Sequence, residues 1–465
     1  NEKWTDLSIL YIVPTRALAN DTLLRVQGPL SDMEIKSSLR HGDKPYLSDF
    51  NLPNFLITTP ESLDSLICRK SKIFSNLQTI ILDEIHILDN TYRGDQLRLL
   101  LWRLKEIANN KNFSIHILSA TLYDPSQIAQ RYIDKFEVVK VGEERQIEYN
   151  IVNSLEEAYY LIKKEGFRKI LFFCNMRESV EILATEIKKL WHPYPVVAHH
   201  GSLSKHEREE AEKIMKESDI AICVATSTLE IGIDIGDIDL IVLAEIPWSI
   251  SSLLQRIGRG NRRKNKTYTL TLTTSPNEVN LIEAMFKTIS SGVLPISDYC
   301  PDKSVVIQQI FSYLYQNPQG VVEETIFQLT SPLCSINELI SILYHLEDKG
   351  WLEHRVHKWF ASQNLMDLGT IGKIHSNIPD ERKFSVIDVN SGKDIGYIVG
   401  VFDRVFALAG RIWIVESIDN NNKIIVRNFK GKALPPIFKR CKNYGAFYYL
   451  LPDELKKYPF YEDNL

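Results

Sequence analysis

The chain has 465 residues, 44% hydrophobic and 25% charged, an ordinary globular composition and enough for about three or four domains. A formal charge of −4 argues neither for nor against nucleic acid, so any polyanion footprint has to come from local basic clusters and backbone donors. No run reaches the apolar length of a membrane span and no signal peptide opens the sequence, so a soluble, cytoplasmic protein with no membrane partner is expected. Cys68, Cys174, Cys223, Cys300, Cys334 and Cys441 form no C-x-x-C pair, which excludes a patterned zinc site, an iron–sulfur cluster or a disulfide framework and predicts reduced thiols.

In chain order, short β-rich runs at 7–13, 55–58, 77–82 and 115–118 alternate with amphipathic helical stretches, which predicts parallel βαβ units over residues 1–143. The pattern restarts at 169–174 and continues through 195–198, 220–224 and 240–243 to 268–272, a second α/β domain over 144–296. Over 297–365 the period turns helical. Runs 305–311 and 336–343 predict two helices and 350–355 a turn into a strand, the pattern of a winged-helix module. Over 366–465 the short strands 396–399, 405–408, 411–415 and 423–426 predict a small β-barrel-like domain. The fold class expected is α/β, with two tandem parallel-sheet domains followed by these two smaller modules.

The apolar run 77–82 ends in Asp83-Glu84-Ile85-His86. A carboxylate pair at the carboxyl end of a buried strand is where an α/β sheet presents a metal and a water to a bound phosphate. On that reading Asp83 orients Mg²⁺ through its water shell and Glu84 polarises the attacking water; a plain cap of the next helix is the alternative. Ser119-Ala120-Thr121 closes the following strand with two hydroxyls suited to relaying the nucleotide's state. In 255–262, Arg259 and Arg262 are three apart, so on a helix they share one face and reach across a cleft as arginine fingers. Arg263, Lys264 and Lys266 read as a solvated basic face or brush a nucleic-acid backbone.

Other segments read as backbone holders. Thr15, Arg16 and Thr59 stand at strand ends beside helix N-termini, and Ser202 and Thr226 do the same in the second domain; free N–H groups there hold phosphates without reading bases. His199 and His200 have no further ligand nearby and read as packing or hydrogen-bonding residues. Asp234 is placed to bond a ribose hydroxyl or an arginine finger, with capping as the competing account. Residues 429–444 interleave cations with aromatics, which suits single-strand stacking and equally suits charged strands with buried aromatics. The phosphate-cradling loop G-x-x-x-x-G-K-[ST] does not occur in the 465 residues; the nearest string, Gly392-Lys393-Asp394, lacks the leading glycine and ends in a carboxylate. Because Asn1 falls a few residues before a strand-like run, the strand, loop and helix carrying that motif are expected to precede it.

Taken in order, these motifs resemble superfamily 2 helicases, and within them the Lhr-like (large helicase-related) family. The resemblance rests on Asp83-Glu84-Ile85-His86, on His200-Gly201-Ser202-Leu203-Ser204 with Arg208, on 225–236 and on Gln255-Arg256-Ile257-Gly258-Arg259. Farther on, Ile378-Pro379-Asp380-Glu381 and 410–415 resemble the family's β-rich domain. It implies two RecA-like domains, a winged helix and a β-barrel that use ATP and Mg²⁺ to move 3′→5′ along single-stranded DNA and separate DNA or RNA–DNA duplexes in DNA repair. A monomer is implied; an RNA track and a non-hydrolysing nucleic-acid-binding scaffold are the alternatives. Catalytic roles carry over to Asp83, Glu84, Arg259 and Arg262, and ATP-binding and coupling roles to Ser119, Thr121, Gly232, Asp234 and Gln255. Strand-holding roles carry over to Thr15, Arg16, Thr59, Ser202 and Thr226. Two departures stand out: the missing loop predicts that these 465 residues alone do not hydrolyse ATP, and Asn261 stands where the last motif has histidine. Between Leu240 and Gln255 there is no room for a long strand-splitting hairpin, which leaves duplex separation to the winged helix or the barrel.

Overall fold

The computed structural model describes residues 6–48, 51–119, 124–139, 146–230, 235–260, 266–291, 299–379, 383–399, 403–419, 422–429 and 444–456. The first lobe is a parallel sheet of β1 (Ile9–Ile12), β2 (Ser37–Arg40), β3 (Phe55–Thr58), β4 (Thr79–Leu82) and β5 (Ser114–Ile117), in the order β2-β3-β1-β4-β5. Helices Arg16–Asp32, Pro60–Lys70 and Tyr92–Ile107 make the crossovers. Because every strand runs the same way, all carboxyl ends lie on one edge of the sheet. The register Ile12↔Leu82 sets the residue after β4, Asp83, beside the end of β1.

The second lobe repeats the plan with β6 (Gln146–Val152), β7 (Lys169–Phe173), β8 (Val196–His199), β9 (Ala221–Ala225), β10 (Leu240–Leu243) and β11 (Lys266–Leu272). Their order is β6-β11-β10-β7-β9-β8, again all parallel. Strands β9 and β10 are buried along their whole length, as continuous apolar runs in a sheet covered on both faces should be.

Helices Ser304–Gln316, Glu323–Thr330 and Ile336–Asp348 and a small antiparallel sheet of β12 (Val321–Val322), β13 (Leu352–Arg355) and β14 (Lys358–Ala361) form the winged-helix module. The middle helix exceeds the two expected from periodicity, being only eight residues long. The third helix starts on a capping box, Ser335 with Glu338. The last sheet contains β15 (Phe384–Asp388), β16 (Asp394–Ile398), β17 (Val405–Leu408), β18 (Arg411–Ile418) and β19 (Lys423–Asn428), in the order β16-β15-β19-β18-β17. It is antiparallel except for β15 against β19, and bulges on β16 and β18 bend it.

Packing does not follow chain order. Leu99 of the first lobe shares a core with the winged helix, Leu365, Ile374 and the late residues Phe447 to Leu451. The second lobe shares its core with Val386, Ile398, Phe406, Trp413 and Val426 of the last sheet. That contact is close enough to require a glycine: a Cβ on Gly396, at φ +154°, would sit 2.3 Å from the Ser202 carbonyl oxygen. Among the described residues no helix is long and apolar enough to cross a membrane.

Candidate nucleotide crevice and strand-holding edges

Strand β4 delivers Asp83 and then turns sharply: Glu84, at φ 48°, adopts the left-handed conformation and starts the one-turn helix Ile85–Leu88. A non-glycine residue in that region stores strain, a feature concentrated at functional sites. The Asp83 carboxylate accepts from the Tyr11 hydroxyl at 2.8 Å and from the Glu84 N–H at 2.9 Å. Burial pushes its pKa upward, against the Tyr11 and Glu84 hydrogen bonds and the more distant charge of Arg25. A half-buried carboxylate with neutral partners fits a site completed by a cation.

His86 links this wall to the next strand. Its Nδ1 lies 2.8 Å from the Ser119 hydroxyl and 3.4 Å from Glu84 Oε2. Burial, followed by the positive charge of Arg259, lowers the His86 pKa to about 4, so the imidazole is neutral at pH 7. Arg259 belongs to the second lobe, and its charge reaches His86 of the first. The acid-bearing turn of the first lobe and the Arg259 guanidinium of the second therefore lie within electrostatic reach of each other.

On the second wall Arg259 donates through Nε and Nη2 to the Glu230 carbonyl at 3.2 and 2.7 Å. The preceding arginine is a scaffold: buried Arg256 donates from Nε to Glu230 Oε1 at 2.7 Å and from Nη2 to Asn175 Oδ1 at 2.9 Å. Gln255 Nε2 donates to Ser251 Oγ at 3.3 Å. One expectation is corrected here. Helix Ile250–Ile257 stops with Gly258 as its cap, and Gly260 bridges to Ile238, so Arg259 lies in a turn beyond the helix and not on the helical face expected for it. The backbone tightens there, the Arg259 N–H donating to the Arg256 carbonyl at 3.1 Å and the Gly260 N–H to the Ile257 carbonyl at 2.9 Å, and Gly260 packs where a Cβ would lie 2.7 Å from Thr267. Arg262, Thr121, Gly232 and Asp234 lie outside the described residues.

The strand-holding candidates divide. Thr15 caps helix Arg16–Asp32, its hydroxyl accepting from the Leu18 N–H at 3.2 Å. Arg16 is exposed and paired with Asp43 at 2.5 Å on the loop after β2. Thr59 is buried at the start of helix Pro60–Lys70, and Glu61 in the first turn is gripped by Arg93 through Nε and Nη2 at 2.5 and 3.1 Å. Thr226 follows β9, its N–H donating to the His199 carbonyl at 3.2 Å. Ser202 is the exception: it is fully buried, its hydroxyl accepts from Arg177 Nη1 at 2.7 Å, and its carbonyl accepts from Tyr397 of the last sheet. That serine ties two parts of the protein together and is not presented to a strand. His199 and His200 are hydrogen-bonding residues, to Thr228 at 2.9 Å and Glu212 at 3.1 Å, and to Glu181 at 2.8 Å. Most of the basic and aromatic stretch 429–444 lies outside the described residues.

Residues 1–128 match the DEAD/DEAH box helicase family and residues 152–264 the helicase conserved C-terminal domain. The chain is 33% identical over 290 residues to ATP-dependent helicase Lhr-Core of Methanocaldococcus jannaschii, covering 55% of this chain and 34% of that one. It is 28% identical over 502 residues to ATP-dependent helicase Lhr-Core protein 2 of Thermococcus barophilus, covering 92% and 56%. The chain belongs to the Lhr family of superfamily 2 helicases. Its fold is similar to that of Mycobacterium smegmatis helicase Lhr bound to ssDNA and AMP-PNP, with TM-score 0.69 and 23% identity over 82% of this chain and 55% of that one. It is also similar to DUF1998 helicase MrfA bound to DNA, with TM-score 0.70 and 21% identity over 91% and 61%. The aligned part thus spans between 34% and 56% of these two curated Lhr relatives.

Three residues of this Lhr-family crevice escaped sequence reasoning. Tyr11 sits on a central strand and looks like core. Glu230 carries both arginines, and its signal was its place in the 225–236 motif. Asn175, after β7, carried none.

Proposed function

We propose that this chain is the motor core of an ATP-dependent helicase that moves 3′→5′ along single-stranded DNA and separates DNA or RNA–DNA duplexes, with repair as its setting. The observation that carries this reading is the strained Asp83-Glu84 turn at the carboxyl end of β4, with Arg259 of the second lobe held on the Glu230 carbonyl within electrostatic reach of His86. Bound ATP with Mg²⁺ supplies the phosphoanhydride whose hydrolysis drives movement. Asp83 is the residue that would hold the magnesium ion, through water. Glu84 polarises the attacking water, and Arg259, with Arg262, meets the charge that develops on the phosphoryl oxygens. Ser119, held to His86, couples this wall to the strand-holding edge, where Thr15, Arg16, Thr59 and Thr226 stand. The units are the two lobes at 1–143 and 144–296, the winged helix at 297–365 and the β-rich module at 366–465. Since the winged helix packs on the first lobe and the last sheet on the second, closure of the crevice moves each module with its own lobe.

The 465 residues hold no G-x-x-x-x-G-K-[ST] loop, so the test uses the product of the whole reading frame. ATP hydrolysis is measured with and without single-stranded DNA for that protein and its Glu84→Gln variant. Strand-stimulated hydrolysis that falls about 100-fold or more in the variant is expected. Absence of stimulation counts against the motor. Replacing DNA with RNA separates an RNA helicase, and DNA affinity of the protein that ignores ATP would favour a binding scaffold.

A further inference from the structure

Trp248 is 80% exposed, the one tryptophan left in water among the described residues. It lies on the turn between β10 and helix Ile250–Ile257. Ser249 caps that helix, accepting from the Ser252 N–H at 3.1 Å, so Trp248 occupies the position whose apolar side chain ordinarily packs onto the fourth helical residue. That residue, Leu253, is fully buried, yet the indole remains in solvent. Its support is rigid. Glu245 accepts from the Asn175 N–H at 2.6 Å and from the Ser179 hydroxyl at 2.5 Å, Asn175 Nδ2 donates to the Ile246 carbonyl at 2.8 Å, and Pro247 is buried. Folding does not account for the exposure, because the turn is fixed without the indole.

Its place in the sheet gives it an occupant. β10 pairs with β7 and β7 with β9, so the ends of β10 and β9 are two strand spacings apart, about 10 Å, on the same carboxyl edge. Trp248 follows β10, exposed Met176 follows β7 and Thr226 follows β9. The first lobe offers a counterpart: Tyr46, 91% exposed, on the loop after β2 that also carries Asp43, the partner of Arg16. We propose that Trp248 is a base-stacking platform for the single strand and that Tyr46 is its counterpart on the first lobe. This rests on the reading that a strand crosses both edges. Stacking tolerates any base, and it gives a chain with a net charge of −4 a source of affinity other than phosphate attraction.

The test measures binding of this chain to an oligo-dT and to an abasic strand of equal length by fluorescence anisotropy. Trp248→Ala should lose about tenfold on oligo-dT and nothing on the abasic strand, Trp248→Phe should keep most of the affinity, and Tyr46→Ala should behave like Trp248→Ala. An equal loss on both strands, or no loss on either, overturns the proposal and leaves the indole to a protein surface. If the unaltered chain binds neither oligomer, the strand-binding reading itself fails.

Discussion

Each lobe is joined to a later module through one fully buried carboxylate, and the two joints are built on different chemistry. At the first, Asp64 accepts from Gln96 at 3.2 Å, Gln308 at 3.1 Å and His375 at 3.0 Å, as well as from Gln309 and Ser312, with Arg103 3.6 Å away. Every one of those donors is a side chain. At the second, Glu181 accepts from His200 at 2.8 Å and from the backbone N–H groups of Ala409 and Gly410 at 2.7 and 2.6 Å. These two residues form the hairpin between β17 and β18, at φ 57° and 61°, as a type I′ turn requires, and that geometry aims both N–H groups at the carboxylate. A joint made of side chains titrates and can be dismantled by substitution, whereas one made of backbone depends on holding a turn.

The largest expected effect is at the first joint. Asp64→Ala leaves Arg103 and His375 buried without their anion and should cost about 3–5 kcal/mol, read by calorimetry as an early transition of the first lobe and winged helix. Glu181→Ala strands the His200 ring and two N–H groups and should cost less, about 2–3 kcal/mol, in the transition of the second lobe. A larger loss at Glu181 would reverse the comparison.

Next comes the pH response. Burial opposes charge on His375, but hydrogen bonds to Asp64 and Cys68 prevail and push it up to about 9 from 6.5. A raised folded pKa gives stability that is complete below pH 6.5 and lost as pH rises through about 9. Asp64 works in the opposite sense: burial would raise it, yet His375 and Arg103 hold it at about 2, so its contribution disappears only in strong acid. At Cys68 burial would raise the thiol, yet Arg103 and His375 lower it, which adds stability over the same range. In Cys68→Ser, where that offset is gone, the first-lobe transition should move to lower temperature between pH 6.5 and 9 while the second holds still, and equal movement of both would remove the distinction.

The smallest effect sharpens the second joint. Ala409 carries a Cβ where φ is positive, so Ala409→Gly should stabilise the second-lobe transition by about 0.5–1 kcal/mol without disturbing the Glu181 bonds. A loss of stability would mean that the Ala409 methyl packs usefully against the second lobe.

The sequence exposed what is local and hid what is distant. Asp83 and Glu84 were legible because an apolar run ended on them, and Arg259 because its motif is short and ordered. The helix end at Gly258 was misplaced because residue spacing cannot show where a cap falls. The Glu323–Thr330 helix has too few turns for its period to stand out. Ser202 sat in a motif and at a strand end, and only the docking of Gly396 and Tyr397 shows that it faces inward. Asp64 and Glu181 drew no notice, since each looks like one more acid on a helix until residues more than 200 positions away surround it.

That separation has a consequence for how the protein is made. Asp64 leaves the ribosome 244 residues ahead of Gln308, 248 ahead of Ser312 and 311 ahead of His375. Until they emerge, the nascent first lobe carries an anion with neither its solvent shelter nor most of its donors, so it cannot be completed in the order it is translated. Its maturation waits on the segment that follows the entire second lobe.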